Sequence, residues 1–418
     1  MKSITIREAY DWLYLEEHLT KMEWEHLTQF FEQKYQNENV VEYGNKRLRF
    51  INLTGVIQLK TVRIEILPKL DLHQTDTALN RRALLNMLSL TKQLPVQLND
   101  QTISQFEKVD LAHILARLYI TELFKAVKRG LYRGYTTKSE NMNHLKGRLL
   151  ISPHIRKNAF VSVNAFCEYD ELSPNVLFNQ VLKAALKIIY PYVQQSALKT
   201  QTLMIFEMFD EVDDVYVNPA TMDTIQINRQ NQHYEAVLQL ALAIIHSTSM
   251  GTGASGQIAF TFLFKINDLY EGYVGECLKR VLPPSDYQLD LQHRGRKLLI
   301  DANTGRKTIQ LKPDFVISRL SGEEPEPIII LDTKWKNILY HSQQGDIYQM
   351  YAYITSYKTA ERCIILYPRI KDEGLLPKWR VPESTPVKHI EVQTIRLDSA
   401  QHTVDDLKKI LSDLDETG

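Results

Sequence analysis

Cysteine is scarce in this 418-residue chain: Cys167, Cys277 and Cys363 stand far apart and form no metal-spaced pair. That spacing excludes a disulfide scaffold and a cysteine-held structural zinc, and it predicts a reducing compartment. Net charge is lacking too, because 50 Lys and Arg balance 50 Asp and Glu. No global field draws the chain to nucleic acid, so any such attraction must come from a local basic face. Long apolar runs are missing: none approaches the ~20 residues that span a bilayer, and the opening MKSITIREAY has no apolar signal core. A cytoplasmic protein without membrane contact is expected. No glycine-rich loop ends in Gly-Lys-Ser/Thr, so the chain itself is not expected to bind or hydrolyse a nucleoside triphosphate.

What is present divides into stretches of different periodicity. At this length two or three domains are expected. Residues 1–75 read as a β-rich module: after an amphipathic helix with Leu27, Phe30, Phe31 and Tyr35 comes a hairpin turning at Gly44-Asn45, then a second in which Val62, Ile64 and Ile66 alternate with Arg63 and Glu65. That alternation predicts one buried and one solvated face. Over 76–246 the 3.6-residue period dominates, with amphipathic helices at 80–94, 111–131, 176–190 and 233–246. Nine positive residues between Lys125 and Lys157 face a single acid, Glu140. They read either as a solvated helical face or as a phosphate-contacting surface. Residues 247–257, STSMGTGASGQ, have the composition of a flexible linker.

The remainder, 258–418, has an α/β pattern and carries the chemistry. Two apolar, β-branched runs, 308–317 and 328–335, flank a turn-rich gap with Ser321, Gly322, Pro325 and Pro327 and read as neighbouring strands. Alternation puts Asp332 and Lys334 on one face of the second strand, roughly 7 Å apart along it. Asp314, after Pro313, brings a second carboxylate to the same level of the first. Two acids about 4 Å apart repel by roughly 4 kcal/mol at an effective dielectric of 20. A divalent cation relieves this, and Mg2+ suits oxygen ligands and substrate phosphates, with Mn2+ as a substitute. The alternative is a surface ion pair at a strand end.

Pro313-Asp314 followed by Asp332-Thr333-Lys334 resembles the PD-(D/E)xK signature of the restriction-endonuclease-like fold. Gln349 and Tyr353, four apart and so on one helical face, resemble the Q-x-x-x-Y element of the RecB-like branch, where they support the site or contact DNA. The resemblance implies a helix before the strands with a further metal-binding acid. Glu271 is the candidate and Glu276 its rival, although Asp268-x-x-Glu271 also reads as a capping box. Beyond this motif, GVIQLKTVRIEILPKL, RRALLNML, HLKGRLLISPHIRKN and CEYDELSPNVLFNQVLKAAL resemble segments of the McrC family, the nuclease subunit of the McrBC modification-dependent restriction system.

That resemblance implies an α+β multidomain protein: N-terminal β-rich module, central helical domain with a partner-docking role, and C-terminal PD-(D/E)xK nuclease domain. It implies an Mg-dependent DNA endonuclease with Glu271, Asp314 and Asp332 as metal ligands and Lys334 assisting hydrolysis. Its partners would be a McrB-like AAA+ GTPase ring, which the subunit stimulates, and double-stranded DNA with modified cytosine. Two other readings stay open: a non-catalytic activator or scaffold of the GTPase, and a RecB-like repair exonuclease.

Overall fold

The computed structural model describes residues 2–36, 38–70, 77–94, 98–160, 163–193, 195–215, 222, 224–249, 258–320, 324–336, 344–370 and 375–414. The fold mixes helices with several sheets. It forms two compact units, residues 1–110 with 262–418, and residues 111–261. The first strands therefore fold with the last third of the chain, a grouping that boundaries at 75, 246 and 257 do not capture. Of the expected linker, 250–257 lies outside the described residues, while 247–249 end the helix Glu235–Ser249.

In the first unit a four-stranded sheet runs in the order Lys2–Arg7, Val62–Leu67, Leu53–Leu59, Ile258–Lys265. Gly55 makes the last pairing possible. Its φ is +134°, and a Cβ there would fall 1.9 Å from the Phe262 carbonyl oxygen, a position only glycine tolerates. The expected solvated face of the hairpin is absent, because both strands are buried throughout. Arg63 and Glu65 alternate with apolar residues but point into the protein and are partnered there. Arg63 donates to Asp110 Oδ2 at 2.8 Å, and Arg81 forks onto the two oxygens of Glu65 at 3.0 and 2.6 Å. Buried ion pairs thus imitate an exposed strand in sequence. The preceding hairpin, Val41–Gly44 with Arg47–Phe50, turns at Asn45-Lys46, one residue later than expected, since Gly44 pairs with Arg47.

The sheet that positions the site has six strands in the order Tyr287–Leu291, Phe315–Arg319, Glu326–Thr333, Arg362–Pro368, His389–Ile395, Lys378–Arg380. Its third, fourth and fifth strands are parallel, and the flanking pairings are antiparallel. On one face Val316, Ile330, Cys363, Ile365, Ile390 and Val392 pack with Met350, Tyr353 and Ile354 of the helix Gln344–Ser356. On the other lies the helix Ile266–Val281, brought close by Gly275, where a Cβ would sit 3.1 Å from the Phe315 ring. The run 308–317 is not one strand. Lys307–Gln310 pairs with Lys297–Ile300 in a separate ribbon, and the sheet strand starts only at Phe315, past a Pro313 that has no N–H to give a ladder. Of the turn between the strands, Ser321 and Gly322 lie outside the described residues.

The second unit contains the helices Leu111–Val127, Leu177–Ile189, Ser196–Met208 and Glu235–Ser249. It also contains an antiparallel sheet of Gly134–Met142, Ala165–Ser173 and Arg148–Leu149, with the helix Ile151–Asn158 beside it. The basic stretch is therefore not one helical face: Lys138 and Arg148 lie on strands, Lys125, Arg156 and Lys157 on two separate helices, and the rest between them. Many of its charges are partnered by residues of the facing strand: Arg148 with Glu168 at 2.7 Å, Lys138 with Glu171, Lys146 over the Tyr169 ring at 3.8 Å and Lys157 over Phe166 at 4.5 Å. The two acidic partners lie twenty and thirty-three residues from Arg148 and Lys138 along the chain, which is why the stretch reads as unbalanced in one dimension.

Because Glu65 is fully buried beneath the Arg81 fork, Arg81→Ala is expected to cost about 3–5 kcal/mol. Urea unfolding monitored by far-UV circular dichroism should show the midpoint fall with m unchanged, and Arg81→Lys should recover only part of the loss because an ammonium cannot fork.

Candidate functional site

The two antiparallel strands Phe315–Arg319 and Glu326–Thr333 set the site. Phe315 is paired with Leu331, so the next step of the register puts Asp314 opposite Asp332, with Cα atoms about 5 Å apart. Asp314 sits in the bend just before its strand, where its Oδ2 accepts from the Thr333 backbone N–H at 2.7 Å and from Thr333 Oγ1 at 2.6 Å. These bonds fix the first carboxylate to the very strand that carries the second.

Asp332 is 1% exposed, on the face of the sheet that the helix Gln344–Ser356 covers. Lys334 Nζ lies 2.6 Å from its Oδ2, and this ionic contact is the one partner of that buried oxygen among the described residues. Burial, then the charge of Asp314, push the Asp332 carboxyl up to about 7, against the opposing pull of Lys334. Two buried or half-buried acids side by side are costly unless a cation offsets their charge.

Lys334 is held from the far side. Its Nζ donates to Gln349 Oε1 at 3.0 Å, Gln349 Nε2 donates to Tyr353 Oη at 2.7 Å, and Tyr353 Oη donates to the Lys312 carbonyl at 3.0 Å, two residues before Asp314. The chain of bonds returns to the peptide that carries the first acid. Asp314, Asp332, Lys334, Gln349 and Tyr353 therefore form one connected cluster, in which Gln349 and Tyr353 hold the lysine.

Glu271 is joined to the cluster through Gln292, whose backbone N–H donates to the Asp314 carbonyl at 2.7 Å. The helix Ile266–Val281 begins at the N-cap Lys265, so Asp268 and Glu271 lie inside the helix and form no capping box. Glu271 Oε1 accepts from Gln292 Nε2 at 2.8 Å, and burial together with the Asp314 charge raises its carboxyl above the usual range. Glu276 pairs with Lys279 at 2.6 Å. Among the described residues no three His, Cys, Asp or Glu side chains gather as a metal-binding group. The two adjacent carboxylates of Asp314 and Asp332 are a donor set that fits Mg2+, which commonly takes one or two carboxylates and keeps its remaining waters.

The sequence alone did not single out Asp346 or Lys336. Both oxygens of Asp346 accept from Lys336 Nζ, at 3.1 and 3.0 Å, and Tyr367 Oη is 3.4 Å from Oδ2. Asp346 opens the helix that carries Gln349, and its charge adds to the rise of the Asp332 carboxyl. The D-T-K-W-K spacing, with a second lysine two residues beyond Lys334 and so on the same strand face, was the available signal.

A mixed sheet that brings two acids and a lysine to one face, inside an α+β chain of this length, defines a protein with a buried carboxylate–lysine site. The chain belongs to the family described as McrBC 5-methylcytosine restriction system component, whose model matches residues 48–368. Among solved structures it is similar to a chain of the refined half-complex from the tetradecameric assembly of Thermococcus gammatolerans McrB AAA+ hexamers with bound McrC. That likeness has a TM-score of 0.73 and 18% identity, covering 98% of this chain and 100% of that one. A second similar chain comes from the cryo-EM structure of the Thermococcus gammatolerans McrBC complex, with a TM-score of 0.53 and 19% identity over 68% of this chain and 88% of that one. At such identities these likenesses establish the fold. No curated protein matches the sequence.

A carboxyl whose folded pKa is raised binds its proton more tightly in the folded than in the unfolded chain. The stability it contributes is present below about pH 4 and is lost as pH rises through about 7. Asp332→Asn, which cannot ionise, should therefore be more stable than the parent at pH 8 and lose that advantage at pH 4. Thermal melts across this range check it, and adding Mg2+ at pH 8 should raise the melting temperature of the parent only.

Proposed function

We propose that this chain is the DNA-cleaving subunit of a GTP-dependent restriction complex and hydrolyses phosphodiester bonds with Mg2+. The observation that carries the reading is the pairing of Asp314 with a buried Asp332 beside Lys334. Bound there, the cation would polarise the phosphate and lower the pKa of a coordinated water. Asp314 and Asp332 would hold it.

Lys334, aimed by Gln349 and Tyr353, places an ammonium where negative charge grows on the phosphate, and its short tether to Asp332 keeps it from swinging into solvent. Thr333 keeps Asp314 turned toward the second strand. Asp346 and Lys336 pin the entry of the Gln349 helix to the residue just past the site. Glu271 is a neighbour whose own carboxyl feels the Asp314 charge.

Family membership supports a partner in the form of a McrB-like AAA+ GTPase, and a substrate of double-stranded DNA with modified cytosine. The absence of a phosphate-binding loop from this sequence is consistent with a motor on a separate chain. The unit 111–261 supports a docking role, since it exposes Tyr135, Ile151, Ile155 and Phe160. A pure scaffold reading has no use for a desolvated acid beside a lysine. The exonuclease reading rests on Gln349 and Tyr353, whose bonds here run to Lys334 and the backbone.

Purified with its GTPase partner, GTP and Mg2+, the protein should cut closed circular methylated plasmid, which has no end for an exonuclease. Asp332→Ala and Lys334→Ala should each slow cutting by about 10²-fold or more, with GTPase stimulation retained. Gln349→Ala should reduce the cleavage rate with little change in DNA affinity. Wild-type cutting by the first two variants would remove this site from the reaction.

A further inference from the structure

A cavity of about 360 Å³ opens between the strands Arg362–Pro368, His389–Ile395 and Lys378–Arg380 and the helix Ala400–Ile410. It lies on the opposite face of the sheet from Asp332. In the paired register Asp332 sits level with Ile365, which packs against the helix Gln344–Ser356, whereas Arg362 and Glu391 alternate with that row. Its lining is ionic: Arg362, Arg369, Lys378 and Lys409 against Glu391 and Asp406.

Both acids already have bidentate arginine partners. Arg362 Nε and Nη2 donate to the two oxygens of Glu391 at 3.0 and 2.9 Å. Arg396, outside the lining, forks onto Asp406 at 2.9 and 2.8 Å. Accordingly each carboxyl is held below its usual range despite burial. The remaining cations are surplus. Arg369 is aimed by Thr394, whose Oγ1 and carbonyl accept from its Nε and Nη2 at 3.2 and 3.1 Å, leaving Nη1 3.6 Å from Asp406. Lys378 reaches Glu391 at 3.1 Å as a second cation on an acid that Arg362 already satisfies. Lys409 is exposed and has no acidic partner among the described residues.

We infer that this cavity is a binding site for a phosphate group carrying two negative charges. Three cations converge on it from two strand ends and a helix in a chain whose overall charge is zero, and the surplus is what a phosphate dianion neutralises. A fixed guanidinium supplies directed N–H donors and two lysines supply mobile charge, the usual division of labour in phosphate recognition. The volume lies at the small end for ligand sites and matches a phosphate with a small substituent. The same chemistry is offered by free inorganic phosphate and by the terminal phosphate of a nucleic-acid strand. This site is separate from the one proposed for hydrolysis and does not depend on it.

The test is equilibrium binding to the full chain without Mg2+ at constant ionic strength, with three probes: inorganic phosphate, a 5′-phosphorylated oligonucleotide, and the same oligonucleotide without its phosphate. Saturable binding of inorganic phosphate, weakened at least 10-fold by Lys409→Ala and by Lys378→Gln, is the expected result. Tighter binding of the phosphorylated than of the unphosphorylated oligonucleotide, lost in the same variants, would identify a strand end as the source. Circular dichroism should show both variants folded, since both side chains are exposed. Absence of saturable binding by either phosphate probe, or binding indifferent to both substitutions, overturns the inference.

Discussion

The arrangement depends on one unfavourable contact: two carboxylates placed side by side across an antiparallel strand pair, one of them sealed under a helix. Neither is there for stability. At separations of a few ångströms like charges in a poorly hydrated place repel by kilocalories, and the fold keeps them together by making each acid part of the structure around the other. Asp314 is bonded to Thr333, the immediate neighbour of Asp332, and cannot turn away without breaking two short hydrogen bonds. Asp332 stands on a strand whose preceding residues, Ile329, Ile330 and Leu331, are fully packed. The repulsion is thus stored by the sheet core.

The lysine moderates that repulsion without abolishing it. Its ammonium touches Asp332 Oδ2 at 2.6 Å while it also donates to Gln349, so the lysine keeps its aim between the acid and the helix. The helix that provides Gln349 is tied down in three ways: its apolar face joins the sheet core, Tyr353 is bonded to the Lys312 carbonyl, and Asp346 holds Lys336. A displacement of that helix would alter the lysine and both acids together. On the reverse face Trp335, next in sequence to the lysine, packs edge-on against Tyr270 and donates to the buried Glu8 at 2.8 Å. The first strands of the chain thereby brace the strand exit from the other side.

Much of this could be read in the sequence, and the failures have physical causes. Asp332 and Lys334 share a face because strands alternate, and an unbroken Ile-Ile-Ile-Leu run identified the strand as buried. Gln349 and Tyr353 share a face because helices repeat every 3.6 residues. Sequence could not reveal that these two side chains hold the lysine, because their bonds cross from helix to strand. The pairing of Arg148 with Glu168 and of Lys138 with Glu171 was hidden for the same reason, and so was the burial of Arg63 and Glu65. Local patterning reports the conformation and the face of a residue; it is silent on which distant residue satisfies it. Glu271 lies in the expected helix, and its hydrogen bond to Gln292 was not legible in the sequence because it too joins residues distant along the chain.

The central claim is that Asp314 and Asp332 share a divalent cation without a third carboxylate. Diffraction from a crystal soaked in Mn2+, recorded at a wavelength where manganese scatters anomalously, measures this directly. The account predicts one anomalous peak within about 2.0–2.4 Å of an oxygen from each of Asp314 and Asp332, with water in the remaining positions and Glu271 still on Gln292. A peak bound elsewhere, or none between these two acids at saturating Mn2+, would contradict it.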